Sequence, residues 1–322
     1  MVRVGIVGCG IVGAKHAEVY QAEGARVVAV ADVVPEKRTA LATRCGSVAY
    51  ADPVEMIEHE TLDVVSVCSP PDAHPAAVVA AARNNCHVFC EKPMAMTLPE
   101  ARAMYHACRD ANVALGMGFK MRYEAAFQAA KDLILEGRIG TPELVYITYF
   151  QPKPKTAWFL DVGALRDTLV HAIDMAAWFL KQEPTTVRAR LARRFNPKAE
   201  DLAHVWVEFL NGHASIAGGY IEEFPPVAGS DDICFQVVGT HGYIAGKRPN
   251  RITLATSEGV EERTLPILDG FHGELAVFLA ALREDPSRIP VSGWDGLRSQ
   301  AVIAAAYASA ESGRPIPVPS IP

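Results

Sequence analysis

The first 120 residues repeat one pattern: a short valine-rich run, a stretch with helical spacing, then another run. The runs are RVGIVG (3–8), RVVAVAD (26–32), DVVSVCS (63–69), HVFCE (87–91) and VALGMGF (113–119); the helical stretches fall near 11–23, 35–45, 72–84 and 97–111. Strands that are apolar throughout are buried on both faces, and strands separated by helices pair in parallel. The alternation therefore predicts a parallel sheet covered by helices on both sides. Pro35 marks one helix start, and Thr97 with Glu100 marks another as a capping box.

After residue 120 the rhythm changes. A helix near 122–137 ends at Gly137, a strand covers 143–150, and a helical stretch spans roughly 165–181. From about 187 strands follow one another, with turn signals at Asn211-Gly212 and over GTHG (239–242). Consecutive strands joined by tight turns predict a largely antiparallel open sheet. Two helical runs follow, near 271–284 and 294–312, and the tail PIPVPSIP reads as unstructured or peripheral.

At 322 residues the chain is long enough for two domains. Its net charge of -6 argues against a nucleic-acid partner. No apolar run reaches the roughly 18 residues that span a bilayer, and the start lacks a signal-peptide pattern. Seven scattered cysteines without a CxxC suit reduced thiols and a cytoplasmic location. No His/Asp/Glu group has metal-ligand spacing, so no metal is expected.

The first chemical motif is GCGIVGAKH. Gly8, Gly10 and Gly13 form a G-x-G-x-x-G between a strand and a helix, with Ile11 and Val12 inside the loop. Gly8 permits the turn, Gly10 lets backbone approach a pyrophosphate, and Gly13 lets helix and strand pack closely. The helix N-terminus offers N–H groups to phosphate. Asp32 ends the second strand, where a carboxylate accepts ribose hydroxyls and repels a 2′-phosphate, which favours NAD over NADP. Lys37 and Arg38 lie nearby and read as a solvated helix face. The expected fold class is thus α/β: an N-terminal Rossmann domain over 1–120, then a C-terminal α/β domain over 121–322 with a largely antiparallel open sheet.

With CSPPDAHPAA, CEKPMAM, MGFKMRY and GRIGTPELV following the glycine motif in this order, the chain resembles the Gfo/Idh/MocA oxidoreductase family. The resemblance implies that Lys92 of the E-K-P motif projects from its strand toward nicotinamide and substrate, with a bond at Pro93 that is often cis. Glu91 belongs to the cofactor site in this reading. Its side chain and that of Lys92 point to opposite faces of the strand. Ser69, Pro70 and His74 match a loop along the nicotinamide half of the cofactor. The spacing of Asp167, His171 and Asp174 predicts one stripe of a helix. The family pattern there implies substrate contact by Asp and proton handling by His. A usual run of glycines before it is reduced to Gly163, and Arg166 is unexpected, which bears on pocket shape more than on chemistry. Lys120, at the end of a strand, and Trp158 are candidate substrate contacts. Tyr220 and His241 fit either a sugar site or a core, Arg122 and Tyr123 fit packing, and Lys153 and Lys155 hint at an anionic group.

The implied activity is reversible hydride transfer between NAD, or NADP, and a secondary alcohol of a sugar, cyclitol or related polyol. His171 would act as base, Lys92 would stabilise alkoxide charge, and Asp167 would fix the geometry. Two rivals use the same scaffold: an NAD-dependent glycosidase and a non-catalytic NAD- or sugar-sensing protein. A homodimer or homotetramer is expected, because the antiparallel sheet has a second face, carrying VWVEF and ICFQVV, that is apolar enough to want a partner.

Overall fold

The computed structural model describes residues 1–154, 157–223 and 231–321, with the side chains of 157 and 158 left outside. The chain forms two compact units, Met1–Lys120 with Gly270–Leu297, and Met121–Asp269 with Arg298–Pro322.

In the first unit the chain runs β1 (Arg3–Val7), α1 (Ile11–Ala22), β2 (Arg26–Ala31), α2 (Pro35–Cys45), β3 (Val48–Tyr50) and α3 (Pro53–His59). It continues with β4 (Val64–Val67), α4 (His74–Arg83), β5 (His87–Glu91), α5 (Leu98–Asp110) and β6 (Leu115–Gly118). All six strands are parallel, in the order β3-β2-β1-β4-β5-β6. The order reverses at β1/β4, and in such sheets ligands bind outside the carboxyl ends of the strands at that point. Gly8, Asp32, Ser69, Lys92 and Lys120 all lie at or within two residues of a strand's carboxyl end.

The Thr97 capping box forms: Glu100 Oε2 accepts the Thr97 N–H at 2.8 Å and Thr97 Oγ1 accepts the Glu100 N–H at 3.4 Å. β3 and α3 have no counterpart in the sequence reading. β3 is a three-residue edge strand with Val48 half exposed, and α3 is a seven-residue helix started by the Asp52 side chain. Both are too short to show a period.

In the second unit α6 (Ala125–Leu135) follows a 3-10 turn, and then come β7 (Pro142–Pro152), α7 (Ala157–Val162), α8 (Ala164–Asp167) and α9 (Leu169–Leu180). The strands β8 (Pro184–Ala192), β9 (Leu202–Phe209), β10 (Gly212–Ile221), β11 (Asp232–Gly239), β12 (Gly242–Lys247), β13 (Arg251–Thr256) and β14 (Gly259–Thr264) follow. After them the chain forms α10 (Gly270–Glu284), α11 (Gly293–Ser312) and β15 (Ile316–Pro317).

The nine-stranded sheet runs β14-β13-β12-β11-β7-β10-β9-β8-β15 and is antiparallel except between β7 and β10. Helices α7 to α9 lie between those two strands in the chain, so a long connection of the kind a parallel pair requires is present. Leu210 and Asn211 form the β9–β10 loop, with Gly212 already paired to Phe209. Strand β12 escaped the sequence reading because it is short and small-residued; a Cβ on Gly246 would sit 2.1 Å from the Phe235 ring. One face is buried through Val145, Ile147 and Tyr149 of β7. On the other face Trp206, Ser215, Tyr146 and Gln236 form a row across four strands, and Tyr146 is 43% exposed.

Two expectations are corrected. The division at residue 120 does not hold to the end of the chain, because α10 belongs with the first unit. Its Leu275, Phe278 and Leu279 are buried in that unit's core, Phe278 meets Phe89 edge-on at 5.1 Å, and the bare Gly116 leaves it room. The tail is not loose either. Ile316 and Pro317 pair with β8, and the Val318 N–H donates to the Thr185 carbonyl at 2.8 Å.

Candidate active site

The glycine loop fits a dinucleotide. Gly8 has φ +93°, and a side chain there would meet the Cys68–Ser69 peptide at 2.6 Å. A Cβ on Gly13 would lie 1.9 Å from the Gly8 carbonyl, so helix and strand touch there. A Cβ on Gly10 would meet nothing within 4 Å, which leaves open space at the start of α1. Gly10 caps α1 without a side-chain hydrogen bond, and Ile11 is 91% exposed. First-turn N–H groups lack intrahelical acceptors and suit phosphate oxygens. Asp32 is held rigid at the end of β2, accepting the Cys9 N–H at 2.7 Å and the Val34 N–H at 2.8 Å.

Glu91 faces inward. It is 8% exposed; one oxygen lies 3.1 Å from His16 Nε2, and the other accepts the Lys92 N–H at 3.2 Å. Burial works against its charge, but the hydrogen bond and charge of His16, with Lys92 and Lys120, outweigh burial and hold its carboxyl below the usual range. Glu91 anchors the strand end from inside. Lys92 follows, half-buried, with a cis bond to Pro93. The Lys120 ammonium lies over the Phe271 ring, 4.2 Å from its centroid.

His74 is also a brace. It is 1% exposed, with Nε2 2.8 Å from the Ser69 carbonyl and Nδ1 near the Met94 carbonyl and the Cys90 thiol. A neutral imidazole has one N–H, and the shorter contact assigns it to Nε2. His74 therefore shapes the Ser69-Pro70 loop from beneath, while Pro70 itself is exposed.

In the second unit the expected single helical stripe is interrupted. Thr168 is a turn residue whose backbone stays in the right-handed helical region (φ -96°, ψ -56°), and the hydrogen-bonded helix divides there, so Asp167 ends α8 while His171 and Asp174 lie in α9. Asp167 is 4% exposed and His171 3%. Tyr220, fully buried, donates its hydroxyl to Asp167 Oδ2 at 3.0 Å. Burial and that carboxylate push its own ionisation far up. Tyr220 is thus a positioning group for Asp167 and not part of a sugar surface.

Asp174 is engaged by arginine side chains. Its carboxylate is 1% exposed and gripped by Arg122, with Nε to Oδ2 at 2.7 Å and Nη2 to Oδ1, while Arg298 stands 3.9 Å away. Removing one partner of such a pair costs about 3–5 kcal/mol, so its first role is structural. The Gly163 and Arg166 departures also have causes. Gly163, at φ +84°, leaves room for the Glu200 carboxylate, which accepts the Leu165 N–H at 2.9 Å and the Tyr307 hydroxyl at 2.8 Å. Arg166 stacks on the Tyr307 ring at 4.2 Å and donates to its hydroxyl.

The side chain of Trp158, and Lys155 as a whole, lie outside the described residues. Lys153 pairs with Glu222 at 3.0 Å. Sequence reasoning missed His16, and it missed a hydrogen-bonded line from Asp231 through Tyr149 and Gln151 to Thr168, beside Asp167. No spacing signal links such distant positions. The described residues also bring donor atoms of His16, Glu91 and Glu274 within 4.8 Å of one another, close enough for a metal ion. The His16 nitrogen there is engaged by Glu91, and the nearby Lys92 and Lys120 already supply positive charge.

Two family models match: "Oxidoreductase family, NAD-binding Rossmann fold" over residues 2–119, and "GFO/IDH/MocA C-terminal domain" over 127–245. The chain belongs to the Gfo/Idh/MocA oxidoreductase family. It is 31% identical to an inositol 2-dehydrogenase of Rhizobium meliloti over 98% of this chain and 99% of that one. It is 30% identical to a myo-inositol 2-dehydrogenase of Thermotoga maritima over 98% of each. A levoglucosan dehydrogenase solved with NADH and levoglucosan superposes with TM-score 0.89, at 25% identity, over 99% of this chain and all of that one. No described helix is long and apolar enough to cross a membrane.

The buried titratable groups set a pH dependence. Burial lowers the His74 pKa from 6.5 against its hydrogen bonds to carbonyls, so its contribution is complete above 6.5 and is lost as the pH falls below that value. The lowered Glu91 value acts likewise from 4.5 downward. Melting temperature is expected to drop in two stages on acidification, with His74→Asn removing the first. A flat melting temperature down to pH 5 would contradict this assignment.

Proposed function

We infer that the protein is an NAD-dependent dehydrogenase acting on a secondary alcohol of a cyclitol or sugar. The observation that carries this reading is a glycine loop fitted for a dinucleotide on the same sheet edge as Lys92, whose peptide is anchored by a buried carboxylate. Two relatives aligned along nearly the whole chain are named for inositol, which supports a cyclitol before an open-chain polyol. Asp32 supports NAD over NADP, since its carboxylate at the ribose position repels a 2′-phosphate.

Bound NAD supplies the acceptor for the two electrons and the hydrogen leaving the carbinol carbon. The chain does the rest. The Lys92 ammonium stabilises negative charge developing on the alcohol oxygen. His171 accepts the hydroxyl proton, a task suited to an imidazole near neutral pH. Asp167, fixed by Tyr220, accepts a hydrogen bond from a neighbouring substrate hydroxyl and sets its orientation. Lys92→Ala is expected to lower turnover of NAD with inositol or a related polyol by about 10²–10³-fold. NADH should still bind, as read by its fluorescence; near-normal turnover would remove Lys92 from the chemistry.

The open row through Trp206, Tyr146 and Gln236 supports a second copy of the chain as the cover for that face. Sedimentation returning only a 34.7 kDa species at working concentration would rule this out.

A further inference from the structure

We propose that His16 is a positioning residue for Lys92, acting through the Glu91 carboxylate; this rests on Lys92 being the charge-stabilising group. His16 lies on α1, the helix that opens with the glycine loop, and is fully buried. Its Nδ1 lies 2.9 Å from Ser66 Oγ and 3.2 Å from Cys68 Sγ, and its Nε2 lies 3.1 Å from Glu91 Oε1. The rings of Phe89, Phe271 and Tyr20 meet it edge-on at 5.5, 5.8 and 6.3 Å. Fixed at both nitrogens and enclosed by three rings, the imidazole has one orientation.

Glu91 inherits that fixity. One oxygen is set by His16, and the other accepts the N–H of Lys92 itself. Gly118 closes the remaining side, since a Cβ there would stand 2.8 Å from the carboxylate carbon. The peptide plane from which the lysine side chain departs is therefore oriented from α1, two bonds before its Cβ. Other ionisable groups close to this carboxylate are Lys92, Lys120 and Glu274, with Cys90, His74, Cys68 and Tyr20 beyond.

A buried charged cluster is a poor source of stability, because well-packed apolar residues often serve as well or better. Orientation of the neighbouring lysine is what apolar residues there cannot supply. The same helix then carries both ends of the device: its N-terminus faces the phosphate position, and its second turn sets the strand end that bears Lys92.

The test compares wild type, His16→Gln, Glu91→Gln and the double variant. His16→Gln should lower kcat about 100-fold, the scale of a small misplacement of a reacting group, with the KM for NAD unchanged. The double variant should be no slower than Glu91→Gln alone, because His16 works only through Glu91. Glu91→Gln removes a negative charge beside Lys92, so the pH at which Lys92 becomes reactive to acetic anhydride, followed by peptide mass spectrometry, should fall; in His16→Gln it should not.

Wild-type kcat in His16→Gln, or losses that add in the double variant, would overturn the proposal. Should His16→Gln not fold, Ser66→Ala must give the same fall in kcat at constant NAD KM, and an unchanged kcat overturns it. If the wild-type chain oxidises no polyol, the dehydrogenase reading fails by itself. The Lys92 acylation profile then decides the inference, and an unshifted profile in Glu91→Gln overturns it.

Discussion

A carboxylate buried at the carboxyl end of a central parallel strand is costly unless it is fully engaged, and Glu91 is engaged on every side that the first unit offers. His16 reaches it from α1, the Lys92 peptide from its own strand, and Gly118 makes room on β6. This one group ties the helix that begins with the glycine loop to the strand that ends with the lysine. The sheet order places both at the edge where doubly wound folds bind ligands. His74 does a similar task one loop away, holding the Ser69 carbonyl from beneath.

The second unit solves its problem differently. Asp167 and Asp174 are seven residues apart and look alike in the chain, yet one receives a tyrosine hydroxyl and the other two guanidinium groups. Asp174 is neutralised by its arginines, whereas Asp167 accepts hydroxyl hydrogen bonds, the shorter of them from Tyr220. The break at Thr168 separates them, and Glu200 braces α8 through Leu165 and Tyr307. Arg166, the unexpected residue in this stretch, belongs to that brace.

Much of the architecture was legible because it rests on local patterns. Apolar runs between helical stretches gave the parallel sheet, Thr97 and Glu100 announced their helix, and Gly8 and Gly13 meet the steric demand that their spacing implied. What could not be read depends on partners far apart in the chain. Nothing near residue 16 points to residue 91, nothing near 167 points to 220, and α10 gives no local sign that its phenylalanine meets Phe89. Asp174 is a further case: a stripe of polar residues on a helix does not reveal whether an arginine 52 residues away pairs with one of them.

The proposed chemistry at this sheet edge is transfer of hydrogen from a secondary alcohol carbon to NAD. The most direct measurement uses inositol deuterated at its carbinol carbons, with the reduced cofactor analysed by mass spectrometry. One deuterium is expected in each NADH formed, with ketone appearing in equal amount. Absence of any reduced cofactor across cyclitols and sugars, or release of free sugar from a glycoside with no label retained in NADH, would contradict it.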